Sequence, residues 1–171
     1  MEHSINIDIN ISIDGMGIIF YSDSAVKNIV EGEDYLTNEY EIPELVGNHI
    51  RKGDIVGFCT GSSGEYSLKF RSGQPSNKLK EEYPIGIYLG IVINGGRLCV
   101  KDLFWLMDWN PECPDDQQFN LDDGVYEMRV HTARPKSGFY GDNQTIYVYL
   151  NKVDKMPQLP WNGVPQLFKD F

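Results

Sequence analysis

Six carboxylates lie within sixteen residues of one another in the second half of the chain. They are Asp108, Glu112, Asp115, Asp116, Asp122 and Asp123. Close carboxylates can bind Ca²⁺, act as a general acid and base, or present negative charge to a basic protein. The DxDxDG pattern of a calcium loop is absent, and a glycosidase pair is not recognisable from spacing because its members come from different elements. A solvated loop and a protein-binding patch therefore remain as interpretations.

Two tryptophans, Trp105 and Trp109, stand beside these acids in the run LFWLMDW at residues 103–109. Both faces of this run are apolar. Such a run favours either a central strand that is covered on each side or a rim that feeds a binding surface. Because tryptophan anchors many protein interfaces, we predict a partner-binding surface that includes both tryptophans and the six carboxylates.

Histidine and cysteine, which bind metals and act as nucleophiles, are sparse. The histidines are at positions 3, 49 and 131, and the cysteines are at positions 59, 99 and 113. They form no HxH, HExxH or CxxC pattern, so we predict no metal, no cofactor and no disulfide framework. A Cys113 nucleophile with His131 as its base stays open, since such pairs meet in space. Because the phosphate-loop, dinucleotide and nucleophile-elbow motifs are absent, we predict that the protein is not an enzyme.

The chain has 25 acidic and 15 basic residues and a net charge of −10. A negative field repels phosphate backbones and anionic membranes and attracts basic proteins. We therefore predict a basic protein partner, with no nucleic acid and no membrane. The first residues show no secretory signal, and no apolar run approaches the ~20 residues of a membrane helix, so the expected location is the cytoplasm.

Isoleucine at every second position from Ile5 to Ile13 predicts a strand with one buried and one solvated face, which favours an antiparallel sheet. Further strands are predicted over residues 16–21, 55–60, 65–71, 85–93, 97–103, 125–132 and 145–153. The turns at 14–15, 61–64 and 94–96 contain glycine with asparagine, aspartate or serine. These turns predict that the strands on either side pair as hairpins.

Helical signals are few. Ser22 or Asp23 could cap a short helix over residues 25–30, Pro43 could start another through residue 50, and residues 72–82 are interpreted as a surface loop. We predict an all-β or β-rich α+β fold, an antiparallel two-sheet β-sandwich of seven or eight strands with one or two short helices. A barrel is the alternative.

Residues 1–171 are interpreted as a single domain, because this length suits one core and no change in composition divides the chain. Three prolines between residues 157 and 171 predict a tail that wraps the surface. Trp161 and Leu167 would be its anchors.

The segments FWLMDWNPECPDDQQF (Phe104–Phe119) and PKSGFYGDNQTIYVYLNK (Pro135–Lys152) resemble small bacterial immunity proteins that are encoded beside polymorphic-toxin genes. The resemblance covers roughly the C-terminal third. It implies a protein that binds and blocks a cognate toxin, with the acidic charge steering it onto a basic toxin surface. The resemblance assigns no contact residues, so the predicted surface depends on the acids and tryptophans alone.

A carbohydrate-binding sandwich is the alternative function. In such a protein, exposed tryptophan and tyrosine side chains stack on sugar rings while aspartate and asparagine bind hydroxyl groups. This alternative predicts a shallow groove lined by coplanar aromatic rings. It is incompatible with burial of all three of Trp105, Trp109 and Trp161.

Overall fold

The computed structural model describes residues 4–168, which contain nine strands in two sheets. His3 and the last three residues of the 157–171 tail lie outside the described residues. The strands are β1 (Asn6–Ile13), β2 (Gly17–Tyr21), β3 (Ile55–Cys59), β4 (Gly64–Arg71), β5 (Ile85–Ile93), β6 (Arg97–Asp102), β7 (Gln118–Asn120), β8 (Gly124–Thr132) and β9 (Gln144–Val153). The helices are α1 (Asp23–Val26), α2 (Pro43–Lys52) and α3 (Asn77–Glu82), with a π-helical turn (Leu36–Tyr40) and two 3₁₀ helices (Leu103–Met107 and Asp115–Gln117).

One sheet has five strands in the order β1-β4-β9-β8-β5, and the other has four in the order β3-β2-β6-β7. The predicted β-rich class with two sheets is therefore confirmed. The prediction of seven or eight strands is wrong, because it missed the three-residue β7. The purely antiparallel arrangement is also wrong, since β4 and β9 run parallel. A parallel pair needs a long connection, and residues 72–143 provide one.

Aromatic side chains fill the space between the two sheets. The ring of Phe70 in β4 lies 6.0 Å from the Phe20 ring in β2 and 4.9 Å from the Phe119 ring in β7. Successive side chains in a strand point to opposite faces, so Tyr21 projects from the far side of the four-stranded sheet. Tyr21 is nevertheless buried. Its burial shows that helical and loop segments cover the outer side of this sheet.

The three predicted hairpins are wrong. In each case the turn carries the chain from one sheet to the other: β1 to β2, β3 to β4 and β5 to β6. The Asp102 carboxylate shows how the first turn is fixed, because it accepts the N–H groups of Asp14 and Gly15 at 2.9 and 3.1 Å. Asp102 ends β6 in the four-stranded sheet, so it ties this turn to β6. Turn residues specify a reversal of the chain but not which sheet it enters.

The local predictions have mixed outcomes. Helix α2 begins at Pro43 as predicted. The short helix predicted over residues 25–30 is wrong in its bounds, because α1 covers Asp23–Val26, and Ser22 precedes it without a side-chain capping bond. The predicted loop over residues 72–82 contains α3, because the Ser76 hydroxyl accepts the Leu79 N–H at 3.1 Å and caps the helix. None of the helices among residues 4–168 is long and apolar enough to cross a membrane.

The β1 strand buries only part of its isoleucine face. Ile9, Ile11 and Ile13 are buried, whereas Ile7 is 36% exposed. Ile5 and Ile7 line an open cavity of about 650 Å³ that also reaches β7, β8 and β9. The first part of β1 therefore lies at the open end of the sandwich, where a five-isoleucine core was predicted.

The tail, as far as residue 168, lies along β3 and β5. Leu167 is fully buried and donates its N–H to the Cys59 carbonyl at 2.8 Å. The Trp161 indole N–H donates to the Tyr88 carbonyl at 3.0 Å. Trp161 is thus only partly exposed and lies far along the chain from the predicted binding surface.

Candidate functional site

A buried lysine holds the tryptophan-containing segment against the four-stranded sheet. Lys101 of β6 is fully buried, and its Nζ lies 4.2 Å from the centre of the Trp109 ring and 5.1 Å from that of Trp105. The ammonium group donates to the Asn110 carbonyl at 2.5 Å. Burial lowers the pKa of Lys101, and the ring faces offset part of the loss of hydration. Lys101 therefore positions both tryptophans.

Trp109 is a structural anchor beneath the predicted surface. Its side chain is 1% exposed and packs edge-to-face on Tyr21 at 5.5 Å. The Trp109 carbonyl accepts the Gly32 N–H at 2.8 Å, and the Trp109 N–H donates to the Glu33 carbonyl at 3.1 Å. Trp109 thus joins the segment around residue 32 to the segment 103–116, and it offers a partner no contact area.

The run LFWLM forms the 3₁₀ helix Leu103–Met107, so the alternative of a central strand is wrong. Its two-sided apolar pattern arises because Leu103 and Leu106 face the core while three neighbours face outward. Those exposed neighbours are Phe104 (45%), Trp105 (38%) and Met107 (47%). Three large apolar side chains of this helix are therefore exposed, and the rim of a binding surface stays a prediction.

Four of the six predicted carboxylates lie beside this helix. Glu112 and Asp115 line a recess of about 560 Å³ together with Trp105. Asp108 follows the 3₁₀ helix directly and is exposed, as is Asp116. The structure therefore places these four carboxylates near exposed aromatic and apolar side chains.

The other two predicted carboxylates lie at the far end of β7. Asp123 accepts the N–H groups of Gly95 and Gly96 at 2.9 and 2.8 Å. Both glycines have positive φ, so Asp123 fastens a turn that few other residues could form. The Asp122 carbonyl accepts the Tyr126 hydroxyl at 2.7 Å. Among residues 4–168, no three or more histidine, cysteine or acidic side chains are grouped so that they could hold a metal ion.

A second acidic segment was missed by the sequence prediction. Residues 28–48 contain six acids and no lysine or arginine, as do residues 103–123. The additional acids are Glu31, Glu33, Asp34, Glu39, Glu41 and Glu44. The rest of the chain then has 13 acids and 15 bases. A count of charge in a moving window would have found this segment.

The backbone bonds at Trp109 bring these two acidic segments together. We use the name acidic face for their exposed side chains around the 3₁₀ helix. The acidic face comprises Val30, Glu31, Phe104, Trp105, Met107, Asp108, Glu112, Asp115 and Asp116. It includes four of the eight large apolar side chains that are exposed in the described part of the chain. Apolar anchors surrounded by charges of one sign are typical of a protein-binding surface.

Cys113 and Arg97 line the recess, and Cys99 is buried in β6. The Cys113 thiol donates to the Gln117 carbonyl at 3.5 Å. Interaction with the Cys99 side chain, together with attraction from Lys101 and Arg97, lowers the pKa of Cys113 to about 7. The same interaction and burial raise the pKa of Cys99. His131 lies in the other sheet and contacts the Tyr83 carbonyl at 3.2 Å. The pairing of Cys113 with His131, which the sequence left open, is therefore excluded by the structure.

The opposite side of the sandwich carries a different surface. The outer face of the five-stranded sheet combines tyrosine with basic side chains, and we call it the tyrosine face. Its tyrosine and basic residues are Lys69, Arg71, Tyr88, Arg129, His131, Tyr147 and Tyr149, and the acids Asp8, Glu65 and Glu127 lie on the same face. The Tyr147 and Tyr149 rings stack 6.1 Å apart, and Arg129 lies 4.4 Å from the Tyr88 ring centre.

No family model and no curated sequence matches the chain. Two solved structures share its fold. ComJ from Bacillus subtilis, an inhibitor of the DNA degrading activity of NucA, aligns with a TM-score of 0.56 and 11% identity over 89% of this chain and 100% of ComJ. A protein described as crocagin biosynthetic gene J aligns with a TM-score of 0.54 and 11% identity over 86% of this chain and 98% of its own. At this identity the likeness shows a common fold.

Proposed function

We propose that this protein is an immunity protein that binds a cognate bacterial toxin through the acidic face and blocks it. The observation that carries the proposal is the charge segregation, since two segments hold twelve acids without a lysine or arginine. The shared fold with ComJ, an inhibitor of a DNA-degrading activity, supports the same class of function.

The physical argument concerns both the rate and the strength of association. A protein that acts on a polyanion needs a positive substrate groove, and an acidic inhibitor is steered to such a groove by long-range attraction. Phe104, Trp105 and Met107 would then supply the apolar contacts that slow dissociation. Trp109 and Lys101 hold the acidic face in one shape before binding, which lowers the entropic cost of association.

The test compares the wild type with two triple variants of equal net charge. One variant is Asp108→Asn, Glu112→Gln and Asp115→Asn on the acidic face. The matched control is Asp8→Asn, Glu65→Gln and Glu127→Gln on the strands of the five-stranded sheet. Each full-length protein is used to recover bound proteins from its native cells. A partner that the wild type and control retain and the acidic-face variant loses is then purified and assayed for loss of activity at equimolar inhibitor.

Two outcomes contradict the proposal. Either the acidic-face variant and its control retain the same proteins, or the purified partner keeps its activity when it is saturated with the wild-type protein.

A carbohydrate-binding function is the second candidate, and one observation favours it. The stacked Tyr147 and Tyr149 rings on the tyrosine face have an interplanar angle of 24°, which resembles a platform for sugar rings. Trp109, which this alternative also used, is buried. Calorimetric titration with soluble oligosaccharides tests this candidate. It requires binding that Tyr147→Ala abolishes and Trp105→Ala leaves unchanged.

A further inference from the structure

The cavity at the open end of the sandwich lies apart from the acidic face. Its volume of about 650 Å³ is within the range of small-molecule sites. Apolar side chains from both sheets line it, and they are Ile5, Ile7, Phe119, Leu121 and Leu150. Ile7 is 36% exposed, although the later isoleucines on the same side of β1 are buried. The cavity therefore leaves apolar surface in water that a ligand could cover.

Hydrogen bonds fix both walls of this cavity. The Ile5 N–H donates to the Ser72 hydroxyl at 3.1 Å, and the Ser72 N–H donates to the Ile5 carbonyl at 3.3 Å. On the side of the four-stranded sheet, the Leu121 N–H donates to the Gly96 carbonyl at 3.0 Å. Walls that are fixed in this way exist before a ligand arrives, so binding requires little ordering of the chain.

Lys152 of β9 brings a positive charge to the mouth of the cavity. It lies opposite the buried Tyr126 and two residues after the buried Leu150, so its side chain leaves the strand on the inner face of the sheet. A Cβ atom at Gly124 would collide with the Lys152 Cε and would lie 3.3 Å from Nζ. The stem of Lys152 therefore lies against the bare backbone of this glycine.

The ammonium group of Lys152 has no negative partner in its own chain. Among residues 4–168, no carboxylate forms an ion pair with it. Asp122 also lines the cavity, but it is exposed while its neighbour Leu121 is buried, so its carboxylate faces the solvent. An apolar cavity with one unpaired lysine at its mouth is complementary to a molecule that has an alkyl chain and a negative head group.

We propose that this cavity binds an amphiphilic monocarboxylate, with its alkyl chain between the two sheets and its carboxylate at Lys152. The chain would contact Ile7, Phe119 and Leu150, and removal of its methylene groups from water would supply most of the affinity. The ammonium group would supply the selectivity for a negative head group. Binding here does not depend on the proposed immunity function, because no residue of the acidic face lines this cavity.

The first experiment compares three probes that share one alkyl chain, namely decanoate, decan-1-ol and decyltrimethylammonium. Each is titrated calorimetrically into the full-length wild-type protein at neutral pH and physiological salt. We expect decanoate to bind with one-to-one stoichiometry, decanol to bind about fivefold more weakly, and the cationic probe to bind more weakly than decanol. Methyl NMR spectra should show that decanoate shifts the signals of Ile7 and Leu150 and leaves that of Met107 on the acidic face unchanged.

Two charge variants test the role of the head group. Lys152→Met should weaken decanoate binding about fivefold and leave decanol binding unchanged. Lys155→Met makes the same change of charge outside the cavity and should change neither affinity. Asp122→Asn should strengthen decanoate binding, because it removes a like charge from the rim.

A volume variant tests the location of the alkyl chain. Ile7→Trp places a larger side chain in the mouth of the cavity and should abolish binding of both decanoate and decanol. The control is Ile42→Trp at a site that is also exposed (41%) but lies outside the cavity, and it should leave both affinities unchanged.

Three results on the wild-type protein would overturn the proposal. In the first, decanoate shows no binding up to about 1 mM. In the second, decyltrimethylammonium binds as tightly as decanoate. In the third, decanoate shifts Met107 and leaves Ile7 and Leu150 unchanged. These readouts need no variant, so they hold even if a variant fails to fold.

Two other occupants of the cavity would also overturn it. If decanoate binds only after Glu2 and His3 are deleted, the first residues of the chain occupy the cavity. If light scattering shows a dimer and Ile7→Trp converts it to a monomer, a second copy occupies the cavity.

Discussion

The acidic face and the tyrosine face lie on opposite sides of one sandwich and are built differently. The tyrosine face is a regular sheet surface in which neighbouring strands place Arg71, Tyr149 and Arg129 side by side. The acidic face has no strand ladder. It consists of two irregular segments that meet at the backbone of Trp109. A sheet surface owes its geometry to the ladder, whereas the acidic face owes its geometry to a few buried anchors.

The two faces also differ in whether their charged side chains are paired. On the tyrosine face, charges of both signs are paired, as in the 2.9 Å contact of Arg71 with Asp8. On the acidic face, carboxylates lie in segments without lysine or arginine. Unpaired charge of one sign costs stability through self-repulsion, and proteins retain it where a partner supplies the opposite charge. This difference favours the acidic face as the site of partner binding.

The largest effect should come from removing the anchor of the acidic face. Trp109→Ala deletes a side chain that is 1% exposed, and we expect it to lower the free energy of unfolding by about 3 to 5 kcal/mol. The control is Tyr147→Ala on the tyrosine face, which should cost about 1 kcal/mol because its ring is partly exposed. Urea denaturation measures both values. Equal losses in the free energy of unfolding would mean that the acidic face does not depend on a buried anchor more than the tyrosine face does.

The second prediction concerns association with the partner identified by the recovery experiment. The triple variant Asp108→Asn, Glu112→Gln and Asp115→Asn should lower the association rate constant by about 10- to 1000-fold at low salt. The control Asp8→Asn, Glu65→Gln and Glu127→Gln has the same net charge and should lower it much less. Stopped-flow measurements at several salt concentrations check this. If both variants slow association equally, only net charge matters and the acidic face has no special role.

The sequence predicts the strands of the tyrosine face better than the irregular segments of the acidic face. Alternation locates β1, β8 and β9 because a sheet surface imposes period two on its residues. The same alternation cannot show which sheet a strand joins. The turn at residues 14–15 pairs with the distant Asp102, and no local signal encodes that contact.

The sequence predicts one of the two segments that form the acidic face, and it misses the other for a similar reason. Its carboxylates between residues 108 and 116 were identified as a cluster in sequence. The contribution of residues 28–48 depends on the hydrogen bonds between Gly32, Glu33 and Trp109, which join residues far apart in the chain. Nothing in the sequence around Trp105 and Trp109 shows which of the two side chains is buried. The tertiary packing separates them, because Trp109 packs on Tyr21 and is 1% exposed while Trp105 is 38% exposed.

His49 of α2 follows the second acidic segment directly and His131 lies on the tyrosine face, and the third prediction uses both. Burial disfavours the charged form of His49. Its bonds to Asp54, just after the second acidic segment (2.7 Å), and to Glu39, within that segment (3.1 Å), outweigh burial and raise the pKa of His49. On the tyrosine face, burial lowers the pKa of His131, and nearby Lys80 and Arg129 act in the same direction. The two histidines should titrate on opposite sides of the usual value, which NMR of the imidazole protons measures.

The same shifts give stability effects of opposite sign. The folded protein binds the His49 proton more tightly than the unfolded chain, so this stabilisation is fully present below about pH 6.5 and is lost as pH rises through the folded pKa. For His131 the unfolded chain binds the proton more tightly, so stability falls as pH drops below about 6.5. His49→Gln should therefore destabilise the protein at pH 5.5 more than at pH 8, and His131→Gln should do the reverse. The same pH dependence for both variants would contradict the opposite electrostatic environments.

The smallest effect should come from single carboxylates, and here the sign distinguishes the faces. The Arg71 guanidinium, through its hydrogen bond, is the main cause that lowers the pKa of Asp8. Asp8→Asn should therefore cost about 0.2 to 1 kcal/mol at pH 7. That contribution is present above the unfolded pKa and disappears as pH falls through the folded pKa. Asp108→Asn removes a charge from an unpaired acidic surface, so it should leave stability unchanged or raise it slightly.

Thermal melts in low salt and in 1 M salt measure both stability changes, and screening should reduce the two effects together. A loss of stability in Asp108→Asn equal to that in Asp8→Asn would mean that Asp108 is paired within its own chain, and it would remove the reason for assigning its charge to a partner.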